Sequence, residues 1–116
     1  DRTFRWTRPT SYISITVIQS TSHEVTVWMS NGGRPPSVDP ADVAIYLHNQ
    51  RLGTVRVGDG FAPYTLAIPP DLAARAAAFG DPVELKLVTS VWNPHKVLGT
   101  PDDRDLGVMV DRVTVR

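Results

Sequence analysis

Along most of this chain, apolar and polar residues alternate one by one. Phe4 and Trp6 alternate with Thr3, Arg5 and Thr7, and Ile13, Ile15 and Val17 with Ser14 and Thr16. Val25, Val27 and Met29 alternate with Glu24, Thr26, Trp28 and Ser30, and Val43, Ile45 and Leu47 with Ala44, Tyr46 and His48. The same rhythm continues through Val55 and Val57, through Tyr64, Leu66 and Ile68, and through Val83, Leu85 and Leu87. A period of two puts the apolar set on one face of a strand. The β-branched and aromatic residues that fill these segments suit a pleated, half-buried surface. The last segment, Leu106 to Val115, changes phase: Leu106, Val108 and Val110 share one face, then Val113 and Val115 take the opposite parity. A strand with one wet face does not tolerate such a slip. The pattern therefore predicts a β-bulge at Asp111-Arg112, or else a strand covered on both faces.

Turn residues separate these runs. The segment from Asn31 through Gly32, Gly33, Pro35 and Pro36 to Pro40 predicts a loop, Asn49-Gln50 a tight hairpin with Asn49 left-handed, and Gly58-Asp59-Gly60 a further turn. One stretch breaks the strand rhythm. Over 70–80, an alanine-rich run follows two prolines and ends at Gly80, which predicts a short helix docking through Leu72, Ala76 and Phe79. Seven or eight short strands, regular turns and one small helix specify an all-β fold. We expect a two-sheet antiparallel β-sandwich of jelly-roll, galactose-binding-like type.

At 116 residues the chain is long enough for a single domain, 1–116, with its own core and no need of a disulfide or metal staple. Twelve basic and twelve acidic side chains balance, which argues against nonspecific nucleic-acid binding and against attraction to an anionic membrane surface. Cysteine is absent, so thiol catalysis, disulfides and thiolate zinc sites are excluded. No apolar run is long enough to span a bilayer, so no membrane insertion by these residues is expected. The chain starts at Asp1 rather than at methionine, which predicts a processed product or a fragment of a larger protein.

Three phrases carry a family resemblance: "TFRWTRPTSYISI", "VAIYLHNQRLGTVRV" and "VWNPHKVLGTPDDRDLGVMVDRVTVR". Together they resemble an extracytoplasmic β-sandwich module of bacterial polytopic membrane glycosyltransferases of the lipid-phosphate-sugar type. Phe4, Arg5, Trp6 and Thr7 match the phrase that begins that module. Asn49, Leu52 and Gly53 match its central hairpin, with Gln50 where the family has glycine. Asp102 or Asp103, with Arg104, Leu106 and Gly107, matches the phrase before its last strand. The resemblance implies a fold similar to carbohydrate-binding jelly rolls and a location on the extracytoplasmic side of a bacterial membrane. It also implies a glycan, or the remainder of a membrane protein, as partner. The glycosyl-transfer chemistry would belong to membrane segments outside this chain.

The residues themselves carry no catalytic signature. There is no Gly-x-Ser-x-Gly elbow, no His-Glu-x-x-His helix and no phosphate loop, and His23, His48 and His95 are scattered. The expectation is a non-enzymatic domain without a cofactor. Asp102, Asp103 and Asp105 are the candidate oxygen ligands for a structural calcium. The favoured reading of that turn is an ionic clip in which Arg104 folds back on an aspartate, Asp103 being the candidate, to hold the 91–105 loop while Leu106 plugs the core. For sugar stacking the candidates are Trp92 with Asn93 on a loop, and Trp28, Tyr46 and His48 on the polar phase of their strands. These last three would form one outer face only if both strands lay in the same sheet. The competing reading makes the tryptophans core residues, in a structural or protein-interaction module without a small-molecule ligand.

Overall fold

The alternating segments become strands in a computed structural model that describes residues 5–15, 18–79 and 83–116. In chain order they are β1 (Arg5–Trp6), β2 (Thr10–Ile15), β3 (Glu24–Ser30), β4 (Asp42–Leu47), β5 (Gln50–Arg56) and β6 (Ala62–Ala67). Helix α1 (Pro70–Ala78), β7 (Val83–Thr89), helix α2 (Pro94–Leu98) and β8 (Met109–Val115) complete the order. The expected contributions of Thr3, Phe4, Thr16, Val17 and Gly80 lie outside the described residues.

Two four-stranded antiparallel sheets result, ordered β1-β8-β3-β6 and β2-β7-β4-β5. The fold is thus an all-β, two-sheet antiparallel sandwich. Among the described strands, β4 and β5 form the only hairpin within a sheet, and every other connection crosses between sheets. The alternation explains the layering. Val25, Val27 and Met29 of β3, Val43, Ile45 and Leu47 of β4, and Leu85 and Leu87 of β7 join one fully buried cluster. Burial of each such side chain is worth about 1.5–3 kcal/mol.

The phase change in the last strand is resolved as the bulge that the pattern requires. Trp28 pairs with Arg112 but Met29 pairs with Val110, so Asp111 is the extra residue. Val110 is buried before it, and Val113 and Val115 still pack against the core after it. The segment before Met109 is not part of β8. Leu106 forms an isolated bridge with Trp92, and the Thr7 hydroxyl and carbonyl pair with the amides of Val108 and Gly107. Gly107 leaves no room for a side chain: a Cβ there would press on the Thr7 hydroxyl and lie 2.8 Å from the Thr7 carbonyl.

Two local expectations shift. The hairpin turn is His48-Asn49, with φ of 51° and 65°, and Gln50 already pairs with Leu47. Two successive left-handed residues make the turn whose twist matches antiparallel strands. The helix buries Leu72, Ala73 and Ala76, while Phe79 at its C-terminal end stays exposed. Phe79 does not dock on a sheet; its ring and that of His48 make a T-shaped pair with centroids 5.3 Å apart.

Candidate functional site

The loop after β7 buries Trp92 and Asn93 instead of presenting them as an open platform. Trp92 retains 8% of its accessible surface and Asn93 7%. The strand-like bridge between Trp92 and Leu106 draws the indole under the loop. The Asn93 side chain is fully engaged. Its oxygen accepts from the Lys96 amide and so caps α2, while its nitrogen donates to the Asp103 carbonyl (3.1 Å), the Asp103 carboxylate (3.0 Å) and the Asp105 carboxylate (3.2 Å). An extended residue with an acceptor side chain at that position satisfies an otherwise orphaned helix amide.

The ionic clip is present with a different partner. Arg104 does not pair with Asp103. It forks onto Asp102, at 2.9 Å through Nε and 2.8 Å through Nη2, while its own backbone amide donates to the same carboxylate at 3.1 Å. The Arg104 side-chain and backbone donors hold the Asp102 carboxyl at about 2, below its ordinary value. This pair spans two residues and stays within the loop. Asn93, by gathering Asp103 and Asp105, ties the acidic turn to α2. Among the described residues, no three His, Cys, Asp or Glu side chains converge on a point that would hold a metal.

Trp28, Tyr46 and His48 do not form one face. Trp28 lies on β3 and Tyr46 on β4, which belong to different sheets, and His48 sits in the hairpin turn. Each outer ring is covered by a cation from the neighbouring strand: Arg112 lies 4.4 Å from the centre of the Trp28 ring, and Lys86 4.5 Å from that of Tyr46. Such stacking occupies the ring face that a sugar would use. The alternation of these residues was legible in the sequence, but the sheet to which each strand belongs was not.

Arg34 is an anchor that sequence reasoning missed. It keeps only 8% exposure and donates four hydrogen bonds: to the Asp39 carbonyl (3.0 Å), the Ser90 hydroxyl (2.8 Å), the Ser90 carbonyl (2.9 Å) and the Gly107 carbonyl (3.0 Å). Burial pushes its pKa down, with Asp39 and Asp42 opposing the shift. One guanidinium thus joins the loop after β3, the end of β7 and the approach to β8. The available signal was an arginine in a proline-rich loop otherwise poor in charge.

An opening in the surface lies elsewhere, between the edges of the two sheets. Strand β2 forms one wall; β1 and the bulged part of β8 form the other. The cleft has a volume of about 820 Å³, and its lining includes Arg5, Trp6, Arg8, Tyr12, Ile13 and Asp111. A smaller opening adjoins it across Trp6, Thr7 and Arg8 and reaches Arg104 and Asp105.

Three properties set this cleft apart from the outer faces. Tyr12, at 60% exposure, has no cation stacked on its ring among the described residues. The guanidiniums of Arg5 and Arg8 have neither hydrogen bonds nor ion pairs among the described residues, whereas Asp111 has an interaction of its own. Finally, one side of β2 has no strand beside it among the described residues. The Thr89 amide donates to the Pro9 carbonyl, and the β2 register runs from Thr10 opposite Val88 to Ile15 opposite Val83. In an antiparallel ladder this makes Ser11, Ile13 and Ile15 the residues bonded to β7, and it turns the amides and carbonyls of Thr10, Tyr12 and Ser14 outward.

No protein-family model matches this chain, and no curated protein is similar enough to match it.

Proposed function

We propose that this chain is a non-catalytic recognition module that binds its partner in the cleft between β2 and the β1–β8 edge. The observation that carries this reading is the concentration of unused binding groups in that cleft. Among the described residues, two arginines without partners, an uncovered tyrosine ring and a free strand edge line one concave surface. Concave surfaces with a few convergent polar groups are where ligands bind. A protein segment is the occupant best suited to a strand edge, so the interaction-module reading leads.

A carbohydrate ligand is the second reading, favoured by Tyr12 beside the hydroxyls of Ser11 and Ser14. The phrases resembling glycosyltransferase-associated modules extend either reading to the envelope of a bacterium, with the remainder of a membrane protein or a glycan as partner. With Trp92 and Asn93 buried, the exposed Tyr12 makes the cleft the better place for a sugar as well.

A fragment library screened by 15N-HSQC tests the reading. Hits should cluster on amides of residues 5–14 and 110–113, and activated glycosides should show no turnover. Hits confined to the Trp28 or Tyr46 faces, or measurable hydrolysis that survives purification, would overturn it.

A further inference from the structure

Resting on that reading, we infer that the cleft takes an extended acidic segment of another protein, which adds to β2 as a fifth strand of its sheet. The first argument compares the edges. Among the described residues β1 contributes only two, β5 carries Arg51 and Arg56 and is bulged where Ile45 pairs with Gly53 but Tyr46 pairs with Arg51, and β6 contains Pro63. Short length, charge, bulges and proline are the features that block edge-to-edge pairing. Strand β2, "TSYISI", has none of them: six residues pair with β7 in unbroken register, without a charge or a proline. Its outward amides and carbonyls, on Thr10, Tyr12 and Ser14, are spaced to bond alternate residues of an incoming strand.

The second argument is charge complementarity. A strand laid against β2 enters the cleft opposite β1 and the bulge, where Arg5 and Arg8 lack partners among the described residues. Arg112 on the same lining has its guanidinium over Trp28. Among the described residues, the one carboxylate on the lining is Asp111, which already has an interaction. An incoming segment with alternating carboxylates supplies the missing acceptors on the side facing the cleft, while its backbone completes the ladder. Arginine forks favour carboxylates for this role.

The test uses the intact chain, 15N-labelled, with a synthetic decapeptide of alternating Glu and Thr and a matched Lys-Thr peptide. The Glu-Thr peptide should shift cleft resonances in a saturable way and slow amide exchange at Thr10, Tyr12 and Ser14. Reversing both charges, Arg5→Glu with Arg8→Glu, should weaken it by about tenfold or more. Ser14→Pro, which removes an outward amide while leaving the β7 ladder intact, should abolish the protection. Because that variant can unfold for other reasons, a Glu-Thr peptide N-methylated on alternate residues provides an independent check and should fail to protect the edge.

Equal binding of the Lys-Thr peptide, insensitivity to the arginine reversals, or undiminished binding of the methylated peptide would each overturn the inference. Concentration-dependent dimerisation that protects the same amides in the free protein would do so too, since the edge would then belong to a second copy. If no peptide binds but fragments still cluster in the cleft, the inference fails while the recognition reading stands; if neither binds, both fail.

Discussion

A buried arginine surrounded by carbonyls behaves differently from one paired with a carboxylate on the surface. The four acceptors of Arg34 come from three separate segments, and hydrogen bonds from a charged donor are worth about 1.5–3 kcal/mol each when partly shielded. Arg34→Ala should therefore lower unfolding stability by more than about 3 kcal/mol in urea titration, since it also leaves buried carbonyls unpaired. Arg34→Lys should cost less but not be neutral, because one ammonium lacks the planar fork. Asp102 is the surface contrast. With its pKa held at about 2 against an ordinary 3.8, its contribution to stability is fully present above the unfolded value and is lost as pH falls through the folded one. Carboxyl 13C shifts followed by NMR should place its titration near 2, and Arg104→Ala should return it toward 3.8. A midpoint unchanged by that substitution would show that the fork does not set it.

The loop from Ser90 to Leu106 acts as an element in its own right, although it contains only one short helix. The amide and carbonyl of Trp92 both bond to Leu106 (2.9 and 2.8 Å), and Asn93 caps α2 while gathering the acidic turn. Leu106 and Trp92 are therefore structural plugs. Leu106→Ala should cost about 2–5 kcal/mol and Trp92→Ala about 3–5 kcal/mol in denaturant unfolding. Trp92→Phe should be much milder, because the indole N–H has no hydrogen-bond partner to lose among the described residues. If Trp92→Ala left the thermal midpoint unchanged, the ring would be a surface group and the burial argument would fail. Strand β8 illustrates the other kind of element-scale constraint: its bulge at Asp111 keeps Val110 and Val113 both facing the core, while Arg112 turns out to cover Trp28.

At the scale of the molecule, the two sheets are assembled from distant parts of the chain. Strand β1 pairs with β8, and β2 pairs with β7. Loop-closure entropy must be overcome before such pairings yield contacts, so folding should be slow for a domain of this size. Stopped-flow refolding should show relaxation in the range of about milliseconds to seconds; microsecond relaxation would mean that local structure, not this topology, limits the rate. The same topology places the open edges of β2 and of the β1–β8 pair on one side of the sandwich, and this juxtaposition creates the cleft.

The alternation of Val25, Val27 and Met29, of Val43, Ile45 and Leu47, and of Val83, Leu85 and Leu87 determined the strands, the core and the sandwich class, because side-chain parity is a local property of extended backbone. The slip between Val110 and Val113 determined the bulge for the same reason, and proline with alanine determined α1. Parity tells which residues share a face of a strand, and nothing about which strands share a sheet. That is why a shared face for Trp28 and Tyr46 hinged on their strands lying in one sheet, which they do not, and why the choice of Asp102 over Asp103 by Arg104 required the loop's geometry. Arg34 and the β2 cleft depend on contacts between residues far apart in the chain, between Arg34 and Gly107 and across Arg5, Tyr12 and Val113. Only long-range packing decides such contacts, since burial, sheet membership and the freedom of an edge belong to the assembled fold.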